Sequence, residues 1–265
     1  MKVVILCGGK GTRMRDVTED LPKPLALIGG KPILWHIMKI YRHYGFNDFV
    51  FLLGYKGEKI KEYFLGYPWK SYNFIFDMDS PEGRLQMLQK PENWKITFID
   101  TGIETNTGAR IKRAQKYIGD EPFMLTYGDG LADIDLHALL DFHKVKGKIG
   151  TVTGINKKSQ YGTLIIEKDI AQSFKEKQQT EGVINGGFFV FNKELFNYLT
   201  DEENCILEQE PMQKLVSDQQ LAVYAHHGLW IAMDTYKDLK EANEILYQGK
   251  NSWEVWKDEI GRAHV

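Results

Sequence analysis

Cysteine is almost missing from this 265-residue chain: Cys7 and Cys205 stand far apart and outside any CxxC or Cys/His spacing. Neither a disulfide framework nor a zinc-binding cluster can be built from them, and a reducing, cytoplasmic setting is the expectation. An excess of charge of one sign is missing as well. Lys and Arg number 34 against 36 Asp and Glu, a formal net charge of -2, so no global basic surface follows a nucleic-acid backbone. No uninterrupted apolar stretch reaches the ~18 residues that a membrane span requires. The apolar opening MKVVILC runs into glycine without a cleavage region and reads as a buried strand, not a secretion signal. Nucleic acid and membrane are therefore set aside as partners.

The hydrophobic content, 43%, is enough to bury the core of one large α/β domain. Residues 3–6 and 49–53 are short continuous apolar runs ending in glycine, the look of strands covered on both faces of a parallel sheet. Between them, residues 33–44 carry apolar side chains at helical spacing, closed by Gly45, and 56–64 is a further helix. Strands at 94–99 and 123–127 flank a helix-prone stretch, 109–117. This alternation predicts a doubly wound, mostly parallel α/β sheet of Rossmann type whose ligand site lies beyond the carboxyl ends of the strands. From residue 150 the strand candidates shorten (151–155, 163–167, 187–191). A last helix, 235–247, precedes an aromatic tail with Trp253 and Trp256 that packs on the body or on another subunit. The final residues 259–265, EIGRAHV, lack periodicity and read as a non-native tail.

Residues 6–14 read LCGGKGTRM directly after the first strand. Gly8, Gly9 and Gly11 permit backbone angles and a close approach that side chains forbid, so loop N–H groups can face an anion such as a triphosphate. Arg13 adds a planar fork of donors suited to phosphate oxygens, and Thr12 a hydroxyl. The loop is not a Walker A motif, and its GGxG spacing departs from the dinucleotide fingerprint; alone, it is also compatible with a plain strand-to-helix turn. LPKPL, 21–25, places Lys23 between two prolines on a stiff extended segment, a preset cation or else a surface lysine in a turn. TYGDG, 126–130, ends a predicted strand and aims Asp129 at the same edge, while Asp234 in WIAMDT, 230–235, follows another apolar run. One or two carboxylates with water and phosphate oxygens are what Mg²⁺ prefers, although a lone aspartate is more often a turn former or helix cap. The DxD spacing of Asp133 and Asp135 is better explained as the cap of a helix over 136–143.

GGKGTRM, LPKPL and IGGKPILWHIMKIY (28–41) together resemble the N-terminal signature of the sugar-nucleotide pyrophosphorylases, and the last of them resembles the branch that uses CTP and glucose 1-phosphate. Similar motifs continue in order to about residue 256. The resemblance implies Mg²⁺-dependent transfer of a nucleotidyl group to a sugar 1-phosphate with release of pyrophosphate. It implies Arg13, Lys23 and Asp129 as catalytic, and Asp129 and Asp234 as metal ligands. Leu6, Gly8, Gly9, Lys10, Gly11, Thr12, Tyr127 and Gly128 would join Arg13 and Lys23 around the nucleotide. DTGIETNTGARIKR, 100–113, resembles the segment that selects the base and implicates Glu104, Thr107, Gly108, Ala109 and Arg110; Ala109 stands where the family has a second glycine. SFKEK, 173–177, and VINGGFFV, 183–190, resemble the sugar-phosphate segments. They imply a pocket of Lys177, Asn185 and Gly186, with Tyr161, Gly162 and Glu210 as further members; Gln178 replaces a proline of the family. One domain over 1–258 is expected, with a nucleotide-binding half 1–149, a sugar-binding half 150–234 and a C-terminal helix and tail 235–258. A cytoplasmic homo-oligomer supplying dideoxysugars for surface polysaccharide is the matching biological expectation. Competing readings are another triphosphate or acceptor, a non-catalytic nucleotide-sugar sensor, and a glycosyltransferase.

Overall fold

The computed structural model describes residues 1–11, 21–79, 84–156, 163–167, 169–175 and 182–256. β1 (Lys2–Cys7) is buried at every position after Lys2, as a strand covered on both faces must be. It lies between β4 (Asp48–Leu53) and β8 (Phe123–Tyr127), and β7 (Lys95–Asp100) lies outside β4, all neighbours being parallel. Alternation along β1 then divides the side chains between two cores. Val3 and Ile5 pack with α1 (Ile33–His43), α2 (Gly57–Ser71), α5 (Leu136–Lys146) and α7 (Tyr236–Tyr247). Val4 and Leu6 pack on the other face with α3 (Thr107–Arg113), α4 (Gln115–Ile118) and α6 (Glu210–Ser217). Helices on both faces of parallel strands make the doubly wound arrangement that the apolar runs predict. The spatial order β7, β4, β1, β8 reverses at β1, because the chain first builds outward on one side and then crosses to the other. Beyond the carboxyl ends of strands at such a reversal lies the crevice in which α/β sheets bind ligands.

Past β8 the sheet is no longer parallel. β13 (Val183–Phe191) runs antiparallel to β8, and β10 (Gly150–Asn156) and β11 (Thr163–Glu167) both pair with β13. β12 (Ile170–Lys175) and β14 (Leu221–His226) complete a sheet of nine of the described strands. Three short ribbons of the described residues stand apart from it: β2 (Leu27–Ile28) with β3 (Lys31–Pro32), the hairpin of β5 (Phe74–Asp77) with β6 (Arg84–Met87), and β9 (Gly130–Ala132) with β15 (Trp230–Ala232). The hairpin is exposed along nearly its whole length, so no apolar alternation marks it in the sequence.

Several elements differ in extent from their expected bounds. α2 continues to Ser71, through Pro68, because Phe64, Gly66 and Tyr67 remain buried and packing carries the helix onward. The stretch 109–117 divides at Ala114, whose N–H is shared among the carbonyls of Arg110, Ile111 and Lys112. Thr235 is not the first residue of the last helix but its N-cap, closing a reciprocal capping box with Asp238. The aromatic tail packs on the body of its own chain: Trp253 is fully buried, and the rings of Trp253 and Trp256 meet those of His36 and Trp35 edge to face. Among the described residues no helix is long and apolar enough to cross a membrane.

A polar knot joins α5 to the sheet. His143, 3% exposed, places Nδ1 at 2.8 Å from Thr151 Oγ1 and Nε2 at 3.2 Å from Asn192 Oδ1. Asn192 donates through Nδ2 to Lys148 O, so its Oδ1 accepts; the network assigns the His143 proton to Nε2, with Nδ1 accepting from Thr151. Burial pushes the His143 pKa below the ordinary 6.5, partly offset by the bond to Asn192. His36, bonded to Ile28 O, is lowered for the same first reason. In the unfolded chain such a ring takes up a proton near 6.5 while the folded ring stays neutral, so this stability is present above 6.5 and is lost as pH falls toward the folded value. The melting temperature is therefore expected to drop between about pH 7.5 and 5, and His143→Gln to lessen the drop, as followed by circular dichroism. An equal slope in the variant would exclude His143 as a source.

Candidate active site

The site begins where β1 and β8 end. Gly128 N–H donates to Leu6 O at 3.0 Å, and a Cβ on Gly128 would lie 2.9 Å from that oxygen and 3.0 Å from Pro24 Cγ. Only glycine lets the two strand ends and the proline segment come together. That segment is not extended throughout, as the two prolines suggest. Pro22 is extended, but Lys23–Leu25 forms a single 3₁₀ turn, with Leu25 N–H on Pro22 O at 2.8 Å and Ala26 N–H on Lys23 O at 3.0 Å. With Pro24 and Leu25 buried, the turn fixes the base of the Lys23 side chain, which is itself only 13% exposed.

The Lys23 ammonium donates to Asp129 Oδ2 at 2.6 Å and to Asp234 Oδ1 at 2.9 Å. Asp234 reaches this point through β15 (Trp230–Ala232), which pairs antiparallel with β9 (Gly130–Ala132), and Met233 N–H donates to Asp129 O at 2.9 Å. The ribbon thus delivers both aspartates at one end. Burial alone would lower the Lys23 pKa, but Asp129 and Asp234 more than offset it and hold the ammonium above its ordinary value. Cys7, buried beneath the loop, is pushed upward by burial and then by Asp129, so it stays a thiol and is no nucleophile.

The cleft above these charges is lined by Leu6, Gly8, Gly9 and Gly11 from the first loop, Thr107 and Arg110 from α3, and Tyr127, Gly128 and Asp129 from the end of β8, with Lys23 between them. Lys10 and Glu104, both expected at the nucleotide, form an exposed ion pair with each other at 2.6 Å. Gly108 and Ala109 are buried against the Cys205–Leu207 segment: a Cβ at Gly108 would lie 2.7 Å from Cys205 Sγ, and Ala109 N–H donates to Cys205 O. Arg110 is also buried, and its guanidinium is committed to the protein. Nη1 donates to Leu53 O, Gly102 O and Thr101 Oγ1 at 2.6 to 2.9 Å, and Nη2 to Gly8 O and Ile103 O at 3.0 and 3.2 Å. Burial lowers its pKa and Asp100 opposes that. Arg110 therefore gathers carbonyls from beyond three strand ends and shapes the glycine loop, and a Cβ on Gly8 would lie 2.3 Å from its Cζ.

A second network, led by a residue not singled out in the sequence, lies around Tyr127. Glu208 accepts from the Tyr127 hydroxyl and, at 2.6 Å, from Thr107 Oγ1, which in turn accepts from Leu207 N–H. Asn185 donates to the Tyr127 hydroxyl at 3.3 Å and accepts from Gly187 N–H, while Gly186 O accepts from Trp230 Nε1. Asn185 thus reaches the wall of the cleft at Tyr127. Glu210 does not: as the first residue of α6 it is exposed and pairs with Lys214 one turn on, at 2.6 Å. Glu208, two residues earlier and before the helix, is the acid of this segment that faces Tyr127. Thr12, Arg13, Tyr161, Gly162 and Lys177 lie outside the described residues.

Residues 2–249 match the profile of the family described as nucleotidyl transferase. A Bacillus subtilis protein named "Probable glucose-1-phosphate cytidylyltransferase" is 58% identical over 97% of this chain and all of its own length. The glucose-1-phosphate cytidylyltransferase of Salmonella typhi is 43% identical, again over 97% of this chain and all of its own. Among solved structures, HddC of Yersinia pseudotuberculosis superposes with a TM-score of 0.73 at 25% identity, covering 92% of this chain and 99% of that one.

Arg110→Lys is expected to cost about 2 to 4 kcal/mol in urea unfolding, because a single ammonium cannot serve carbonyls on three segments and leaves buried acceptors unpaired. An unfolding curve like that of the unaltered chain would mean that those carbonyls find other donors.

Proposed function

The chain belongs to the nucleotidyl transferase family, and on that premise we propose that it transfers a cytidylyl group from CTP to α-D-glucose 1-phosphate, giving CDP-glucose and pyrophosphate. The observation that carries this reading is the meeting of Lys23, Asp129 and Asp234 beside a glycine-lined cleft. The names of relatives 58% and 43% identical over their full lengths support the choice of base and sugar.

In this reading an oxygen of the sugar phosphate attacks the α-phosphorus, the bond to the β-phosphate breaks, and pyrophosphate leaves with the electron pair. No side chain forms a covalent bond, so the chain's work is placement and neutralisation of charge. Amides of Gly8, Gly9 and Gly11, with Leu6, Lys10, Thr12, Glu104, Thr107, Gly108, Ala109, Tyr127 and Gly128, surround the nucleotide, and Arg110 supports the loop from beneath. Arg13 steadies the departing pyrophosphate and Lys23 offsets charge on the reacting phosphates. Asn185 and Gly186, with Tyr161, Gly162 and Lys177, form the sugar-phosphate pocket, and Glu208 takes the place first given to Glu210.

Two carboxylates already gathered about one cation fit Mg²⁺. Among the described residues no group of three or more His, Cys, Asp or Glu could hold a metal, so Asp129 and Asp234 would share it with water and phosphate oxygens, as this ion prefers. Bound there, Mg²⁺ would supply further neutralisation of the phosphates.

The same reading takes residues 1–258 as one domain, with its nucleotide-binding half at 1–149, its sugar-binding half at 150–234 and the helix and tail at 235–258. It places the reaction in the cytoplasm and makes the chain a homo-oligomer, on the strength of the family resemblance. The product would feed dideoxysugar synthesis for the lipopolysaccharide O-antigen.

Pyrophosphate release measured for each nucleoside triphosphate with glucose 1-phosphate and other sugar phosphates is expected to be fastest for CTP with glucose 1-phosphate; a clear preference for another pair would overturn the assignment. Asp129→Ala and Asp234→Ala are each expected to fold and to lose about 10²-fold or more in kcat. Near-normal turnover in either would remove that aspartate from the site.

A further inference from the structure

The Asp133-Ile134-Asp135 run has no part in the site described so far. Asp135 caps α5, accepting from Ala138 N–H at 2.9 Å. Asp133 is placed differently. It follows β9 directly, and its N–H donates to Leu229 O at 3.2 Å, at the opposite end of the β9 and β15 ribbon from Asp129 and Asp234. Its carboxylate is bonded on one side and flanked on the other. Oδ2 accepts from Ser252 Oγ at 2.6 Å, in the tail that Trp253 anchors in the core. Oδ1 is sealed from water and has no hydrogen-bond partner: His226 Nε2 lies 3.1 Å from it, but the hydrogen bond of that nitrogen is with Leu229 O, at 3.3 Å. The two side chains are 9% and 21% exposed for His226 and Asp133. The turn between β14 and β15 wraps so closely that a Cβ on Gly228 would lie 2.1 Å from Asp133 Oδ1.

Three separate segments therefore converge on one carboxylate at one end of a ribbon whose other end carries the two aspartates. The ribbon is only three residue pairs long, and two short strands by themselves hold their register weakly. A slip of one residue would turn every side chain to the opposite face and take Asp234 away from Lys23. We propose that Asp133, tied to the tail by Ser252 and flanked by His226, is a positioning residue: it locks the ribbon from its far end, fixes the spacing of the Asp129 and Asp234 carboxylates, and thereby sets the affinity for the divalent cation. The inference rests on the reading above that those two carboxylates hold that cation.

The test uses the full chain, with Mn²⁺ as the probe, titrated by electron paramagnetic resonance in the presence of CTP. Asp133→Ala is expected to raise the Mn²⁺ dissociation constant about tenfold, the scale on which supporting residues act at metal sites. The Mg²⁺ concentration for half-maximal activity should rise by a similar factor. CTP affinity measured without a divalent cation should not change, whereas general loosening of the fold would weaken it too. Ser252→Ala, which removes one hydroxyl, is expected to shift Mn²⁺ affinity in the same direction by about threefold; it decides the matter by itself if Asp133→Ala fails to fold. Wild-type Mn²⁺ affinity in the folded variants would overturn the clamp, as would an equal loss of metal-free CTP binding. Asp129→Asn, which leaves the clamp intact, should abolish tight Mn²⁺ binding. If it does not, the metal site itself is misassigned, whatever the behaviour of Asp133.

Discussion

The ammonium of Lys23 sits between the carboxylates of Asp129 and Asp234, which lie 106 and 211 positions further along the chain. None of the three groups would be comfortable at this depth without the others. Two partly buried carboxylates side by side repel, and a largely buried ammonium without a counter-charge tends to lose its proton. Together they neutralise locally while leaving the pair of acids one charge short of cancellation by lysine alone. That residual negative charge is of the sign that a cation answers. The glycine at 128 and the turn at Lys23–Leu25 matter because they allow the strand ends and the lysine to come within reach.

Arg110 shows a second way in which a buried cation is used. Strands that run parallel release their final carbonyls at one edge, which leaves that edge rich in partial negative charge and poor in donors. The planar fork of a guanidinium can serve several such oxygens at once, and here it serves those of Gly8, Leu53, Gly102 and Ile103. A residue expected at the ligand, and lining the cleft, thus also braces the glycine loop. Tyr127, Glu208 and Thr107 do comparable work between the two halves of the sheet, with one carboxylate accepting from hydroxyls on β8 and α3.

Much of this was legible in the sequence. The buried parallel strands announce themselves because a strand covered on both faces has to be apolar at nearly every position, and β1, β4 and β8 are. Helix α1 is marked by its apolar spacing and the glycine after it. The two aspartates could be proposed from their turns and from the resemblance, but their meeting could not, since it depends on a short ribbon whose pairing is decided by the whole fold. Glu208 was missed for a related reason. In EQEPM the eye falls on the acid beside the proline, while the one that turns inward is set by where α6 starts. The hairpin of β5 and β6 leaves no periodic trace because its side chains face solvent on both sides.

The order in which the chain is made gives the ribbon a further meaning. On a ribosome Lys23 and Asp129 emerge long before Asp234, so a growing chain can at most form a simple pair of opposite charges there. The three-way contact therefore waits until the segment carrying Asp234 has been released and has zipped against β9.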